Sequence, residues 1–121
     1  MKAIKLKKIL VVDDEVYMIK LLRHFLEKKY EVFTCASGEE ALIIIGKEDS
    51  TPDLVISDML MPGGMTGLEL SHKVKSAIPS IPIIIMTGTP GIIPPGHNVE
   101  AVFEKPFNLN ELLKKIQGLI G

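Results

Sequence analysis

The sequence predicts an α/β fold in which a parallel sheet is covered by helices on both faces. Three observations carry that prediction. Short, unbroken apolar runs recur along the chain, as strands buried on both faces require. Segments with helical spacing of apolar residues fall between those runs, so that strand and helix alternate. No internal repeat, low-complexity tract or linker interrupts the alternation, and 121 residues suit a single domain, residues 1–121.

The elements follow in order. Ile9 to Val12 is a continuous apolar run that predicts a buried first strand. Met18, Leu22, Phe25 and Leu26 recur on one face of a helix, and Glu31 to Cys35 predicts a second strand. Ser37-Gly-Glu-Glu40 has the form of a capping box and opens a helix through Ala41, Leu42 and Ile45, with Gly46 near its end. Leu54 to Ser57 is a third strand, with Asp58 just past its C-terminal end. Thr66-Gly-Leu-Glu69 is a second capping box, opening a helix with Leu70 and Val74 inward. Ile83 to Met86 is the fourth strand, ending at Thr87, and Ala101 to Glu104 the fifth, ending at Lys105. Asn108-Leu-Asn-Glu111 caps a last helix with Leu112, Leu113 and Ile116 on its apolar face. Between the last two strands lie Pro90, Gly91, Pro94, Pro95 and Gly96. Proline inside a helix costs about 3 kcal/mol, so the helix due there is expected to be short, distorted or missing.

Composition excludes several classes. Fourteen Lys and Arg stand against 15 Asp and Glu, so no basic excess points to direct nucleic-acid binding and no basic tract to a membrane surface. No apolar run approaches the roughly 18 residues that span a bilayer. Met1 to Lys8 is basic but leads straight into a strand, without the apolar segment and cleavage site of a signal peptide. The single cysteine, Cys35, has no internal disulfide partner and lies in a strand pattern, which fits a packed thiol in a reducing compartment. Cytoplasm is the expected location. His24, His72 and His97 are scattered without metal-ligand spacing. Met59, Met61 and Met65 gather around the loop after Asp58, where packing or a soft partner surface would use them.

In open parallel sheets, ligands bind outside the C-terminal ends of the strands. Those ends hold Asp13-Asp14, Asp58, Thr87 and Lys105. Taken singly, each has a structural use: Asp13, Asp14 and Glu15 suit a helix N-terminus, and Asp58 suits a turn. Lys105 suits a solvated surface and Thr87 a strand end. Their convergence on one edge argues for chemistry. Three carboxylates together repel one another, and a divalent cation with hard oxygen ligands, such as Mg²⁺, resolves the conflict. The metal and Lys105 would neutralise a phosphoryl group in transfer, Thr87 would donate a hydrogen bond to it, and Asp58 would be the nucleophile.

On these residues the sequence resembles the receiver domain of two-component response regulators over essentially its whole length. The matching pieces are Ile9-Leu-Val-Val-Asp-Asp-Glu15, Asp58-Met-Leu-Met-Pro62 with Gly67 downstream, Ile83-Ile-Ile-Met-Thr-Gly88 and Lys105-Pro-Phe107. The resemblance implies a (βα)₅ flavodoxin-like fold with strand order 2-1-3-4-5. It implies Mg²⁺ (or Mn²⁺) held by Asp13, Asp14, Asp58 and the backbone carbonyl of Leu60. It implies transfer of a phosphoryl group to Asp58 from a histidine kinase or a histidine phosphotransfer protein, and a change in binding to some downstream partner protein. Thr87 would be the switch hydroxyl, Lys105 the phosphate-sensing lysine, and the Lys105-Pro106 bond cis.

Three departures qualify the resemblance. The loop Met61 to Gly67 is one residue longer than the commonest receiver pattern, similar to receivers attached to hybrid sensor kinases. Gly88 stands where alanine is commoner. The usual switch aromatic would fall on Val102, while Phe103, one step on, is expected to face the other side of the sheet. The expected output surface is therefore the first helix or the loops around the site. Leu60 offers no polar side chain to orient a hydrolytic water, so a slow loss of phosphate is expected. The rival readings are a phosphorylation-independent interaction module, an aspartate-nucleophile phosphatase and a flavin-binding protein. The intact set of five polar residues argues against the first. The phosphatase would need a second carboxylate where Leu60 stands, and the flavin protein a phosphate loop where Asp13-Asp14-Glu15 would repel phosphate.

Overall fold

The computed structural model describes residues 5–61 and 63–121. Five strands, β1 (Lys8–Val12), β2 (Glu31–Cys35), β3 (Leu54–Asp58), β4 (Ile83–Thr87) and β5 (Ala101–Glu104), form one parallel sheet in the order β2-β1-β3-β4-β5. Four α-helices join them: α1 (Val16–Leu26), α2 (Gly38–Ile45), α3 (Gly67–Ala77) and α4 (Leu109–Ile120). The predicted architecture and strand order are both found. The order reverses at β1, so β1 and β3 are adjacent and their C-terminal ends open onto one crevice.

Alternation of side chains sorts the apolar runs onto two faces. Leu10, Val12, Val55, Ile83 and Ile85 pack against Ala41 and Ile45 of α2 and Leu70 and Val74 of α3. Ile9, Val11, Leu54, Ile56, Ile84 and Met86 pack against Leu22 and Leu26 of α1 and Leu112 and Ile116 of α4. Each inner strand buries both sets, which is why its sequence reads as unbroken apolar residues rather than as alternation.

The helix starts differ in detail from their sequence signatures. Thr66 and Glu69 form the complete reciprocal box. At α2 only half of the box forms: Ser37 accepts from the Glu40 N–H, but the Glu40 carboxylate accepts from Ala36 N–H instead of from the cap residue. Asn108 caps α4 by accepting from Glu111 N–H. The fourth helix is replaced by a single 3₁₀ turn at Pro90–Ile92, as the prolines and glycines required. Val102 and Phe103 do face opposite sides: Val102 packs on the α2/α3 face, and Phe103 meets Phe107 edge-on at 6.0 Å on the other.

Two glycines bracket the range of tolerance. At Gly67 an added Cβ would lie 2.5 Å from the backbone oxygen of Asp58, where neither side can yield. At Gly118, exposed within α4, it would meet nothing within 4 Å. Gly67→Ala is expected to cost about 1–3 kcal/mol by overpacking, and Gly118→Ala to add about 0.5–1 kcal/mol through helix propensity. Urea denaturation of the two variants checks both signs.

Candidate functional site

The polar residues named from the sequence meet at the C-terminal edge of the sheet. Asp13 directly follows β1, Asp58 is the last residue of β3, Thr87 is the last of β4, and Lys105 directly follows β5. Asp58 and Thr87 thus belong to their strands by hydrogen bonding, one residue further than the apolar runs extend. Carboxylate oxygens of Asp13, Asp14 and Asp58 all lie within 4.8 Å of one another. The Lys105 ammonium is 3.1 Å from Asp58 Oδ1 and 3.5 Å from Asp13 Oδ2.

Backbone bonds hold this geometry. Asp13 N–H donates to the Cys35 carbonyl at 3.1 Å, and Asp13 Oδ1 accepts from Glu15 N–H at 2.9 Å. Met59 N–H donates both to Asp58 Oδ1, at 3.0 Å, and to the Met86 carbonyl, at 2.9 Å, so it orients the carboxylate while tying β3 to β4. Lys105 N–H donates to the Thr87 carbonyl at 2.8 Å. Thr87 is buried, and its Oγ1 accepts from Thr89 N–H at 3.0 Å, which leaves the hydroxyl proton free to donate. The Lys105-Pro106 bond is cis.

Asp13 is fully buried, and its Oδ2 has no hydrogen-bond partner although Lys105 stands nearby. A buried carboxylate oxygen that accepts no hydrogen bond, has only Lys105 at 3.5 Å and lies beside two more carboxylates favours a further cation. The donor set, all hard oxygens, fits Mg²⁺ or Mn²⁺ rather than a softer metal. Burial raises the Asp58 pKa above the ordinary carboxylate range; the Lys105 hydrogen bond opposes this and the Asp13 charge adds to it. Burial alone would lower the Lys105 pKa, but its hydrogen bond to Asp58 and the charge of Asp13 hold it above the usual value.

The remaining candidates stay outside the cluster. His24 and His72 are exposed, and His97 Nδ1 accepts from Val99 N–H. Cys35 is a buried thiol pushed up to about 11 by burial, which disfavours its thiolate. Leu60 turns its side chain to solvent, 58% exposed. The roles of the Cys35 carbonyl and Met59 N–H had no signature in the sequence, because a backbone group serves whatever side chain it carries.

A raised Asp58 pKa means that the folded chain holds that proton to higher pH than the unfolded chain does. Ionising Asp58 therefore costs stability. The cost is absent below the ordinary carboxylate value of about 3.9, grows as pH rises through the raised value, and is complete above it. Asp58→Asn is expected to melt above the wild type at neutral pH without divalent metal. The difference should vanish toward acid and narrow when Mg²⁺ is added. Thermal denaturation across pH checks each part.

Comparison with known proteins gives a consistent picture. Residues 9–117 match the family model described as the response regulator receiver domain. Sporulation initiation phosphotransferase F of Bacillus subtilis (strain 168) is 39% identical over 112 residues, covering 88% of this chain and 87% of that one. Sensor histidine kinase TmoS of Ectopseudomonas mendocina is 31% identical over 120 residues, 94% of this chain but 12% of the kinase. Apart from the sporulation protein, the relatives compared are spanned over half of their length or less. Among solved structures, a receiver domain protein of Clostridium thermocellum superposes with a TM-score of 0.86 at 31% identity, covering 95% of this chain and 94% of that one. The response regulator TrrA of Thermotoga maritima, in complex with Mg²⁺-BeF, superposes at 0.82 with 35% identity, covering 95% and 100%.

Proposed function

The chain belongs to the response regulator receiver domain family, and from that premise we propose that Asp58 takes a phosphoryl group from the phosphohistidine of a histidine kinase or histidine phosphotransfer protein. The family consists of phosphoacceptor modules of phosphorelay signalling. The observation that carries the residue assignment is the 3.1 Å pairing of Asp58 with Lys105 beside Asp13 Oδ2, which accepts no hydrogen bond. It puts a carboxylate nucleophile and a fixed cation side by side in a pocket that favours added positive charge.

An Asp58 oxygen forms the new O–P bond as the donor's N–P bond breaks, and the departing imidazole takes its proton from solvent. Lys105 stays beside the phosphoryl oxygens throughout and neutralises their charge without reorganising. Thr87 donates its hydroxyl proton to one of them. Asp13, Asp14, Asp58 and the carbonyl of Leu60 would hold Mg²⁺ or Mn²⁺, which would supply the remaining positive charge. The protein thus assists its own phosphorylation and hydrolysis without being an enzyme toward other substrates.

Residues 1–121 act as one receiver unit in the cytoplasm on this reading; among the described residues no helix is long and apolar enough to cross a membrane. Val16 and Tyr17, exposed on α1, and Leu60, exposed after Asp58, offer apolar surface within three residues of Asp14 or Asp58. They favour partner docking around the site, while the face usually built on a fourth helix has only the turn at Pro90–Ile92.

Incubation with a small-molecule phosphodonor is expected to add the mass of one phosphoryl group to the intact protein. The gain should require Mg²⁺ and be absent in Asp58→Asn. No gain in the folded wild type would replace this reading with a phosphorylation-independent interaction module. The label is expected to persist for minutes or longer after donor removal, since Leu60 and Gly88 give an attacking water no polar side chain. Loss within seconds, followed by the same mass measurement, would exclude that lifetime.

A further inference from the structure

We propose that Gly38 is a positioning residue for this chemistry: its missing side chain leaves the seat in which Met65 anchors the loop after Asp58. The proposal rests on the metal reading above and names a device that governs it.

The loop from Met59 to Gly67 is tied at both ends. Met59 N–H holds Asp58 Oδ1, and Gly67 N–H donates to the Met59 carbonyl at 2.8 Å. Among the described residues between them, Met61 packs against the α2/α3 core, and no hydrogen bond is made by Gly63 or Gly64. Gly63 and Gly64 are exposed and sit at φ 92° and 91°, the left-handed region that glycine adopts readily. Met65 is the next side chain along and is partly buried against the α2/α3 core.

Met65 lies on Gly38. A Cβ added to Gly38 would fall 2.5 Å from Met65 Sδ, 3.0 Å from its Cγ and 3.2 Å from its Cβ. Swinging the thioether end away relieves the shortest of these contacts, and the 3.2 Å contact to Met65 Cβ then asks the loop to give by a few tenths of an ångström. Gly38 is not in the left-handed region, and as the first residue of α2 its backbone would accept other residues. What a side chain there would displace is Met65.

The same corner grips the other carboxylate carrier. The Cys35 carbonyl accepts from Asp13 N–H, and the Cys35 thiol donates to the Ser37 carbonyl at 3.6 Å. Residues 35–38 therefore touch both the end of β1, which carries Asp13, and the loop that follows Asp58. The spacing between the two halves of the oxygen cluster is set in part by this corner. Supporting residues around a metal site commonly change affinity by about 10–100-fold when altered.

The test is Mg²⁺ titration of metal-free wild type, Gly38→Ala, Met65→Ala, Met65→Leu and the Gly38→Ala/Met65→Ala double variant, followed by amide NMR shifts, with circular dichroism to establish folding. Gly38→Ala is expected to weaken Mg²⁺ binding by roughly tenfold. Met65→Ala should weaken it too, and Met65→Leu should keep it near wild type. The double variant should bind no more weakly than Met65→Ala, because the added methyl then has nothing to displace. Wild-type affinity in Gly38→Ala would overturn the proposal, as would a Gly38→Ala penalty that adds in full to that of Met65→Ala. Should Gly38→Ala not fold, equal affinities in Met65→Ala and Met65→Leu would overturn it instead. A wild type that binds no Mg²⁺ would overturn the metal reading itself, which separates the two failures.

Discussion

The Asp13 carboxylate is buried, carries an Oδ2 with no hydrogen-bond partner, and shares its pocket with the charges of Asp58 and Lys105. One ammonium cannot neutralise three carboxylates, so the edge of the sheet is left with an excess of negative charge in a partly desolvated place. Such an arrangement favours an added divalent cation. The raised pKa of Asp58 expresses the same imbalance: burial outweighs the help of Lys105. Stability is conceded at one point, the polar edge of the sheet.

That concession is tolerable because the rest of the sheet is over-determined. Both faces of β1, β3 and β4 are buried against helices, and strand-to-strand bonds run on through Asp58 and Thr87 at the very edge. The site residues inherit their positions from the register of buried apolar strands. Where a side chain needs finer control, backbone groups supply it: Met59 N–H on Asp58, Glu15 N–H and the Cys35 carbonyl on Asp13, and Thr89 N–H on Thr87.

Two of the departures read from the sequence meet on one side of the sheet. From Gly88 through Val102 the fourth helix gives way to a 3₁₀ turn, and no aromatic ring stands on the α2/α3 face of β5. Phe103 is committed to the opposite core through Phe107. On that face of β5 the residues following the site are Thr87 and the short turn after it, with no ring to rotate.

The sequence by itself determined the strands, their order once the resemblance was recognised, and the identity of the clustered polar residues. Buried parallel strands must be written as apolar runs, and a parallel sheet brings their C-terminal ends to one edge. Proline chemistry likewise foretold the missing helix, and strand alternation the direction of Phe103. Only the tertiary structure decided that Glu40 reaches past its cap to Ala36, that Asp13 Oδ2 is left without a hydrogen-bond partner, and that Met65 sits on Gly38. These depend on distances between segments far apart in the chain, set by packing to within a few tenths of an ångström. A pattern of residue types carries no such length scale.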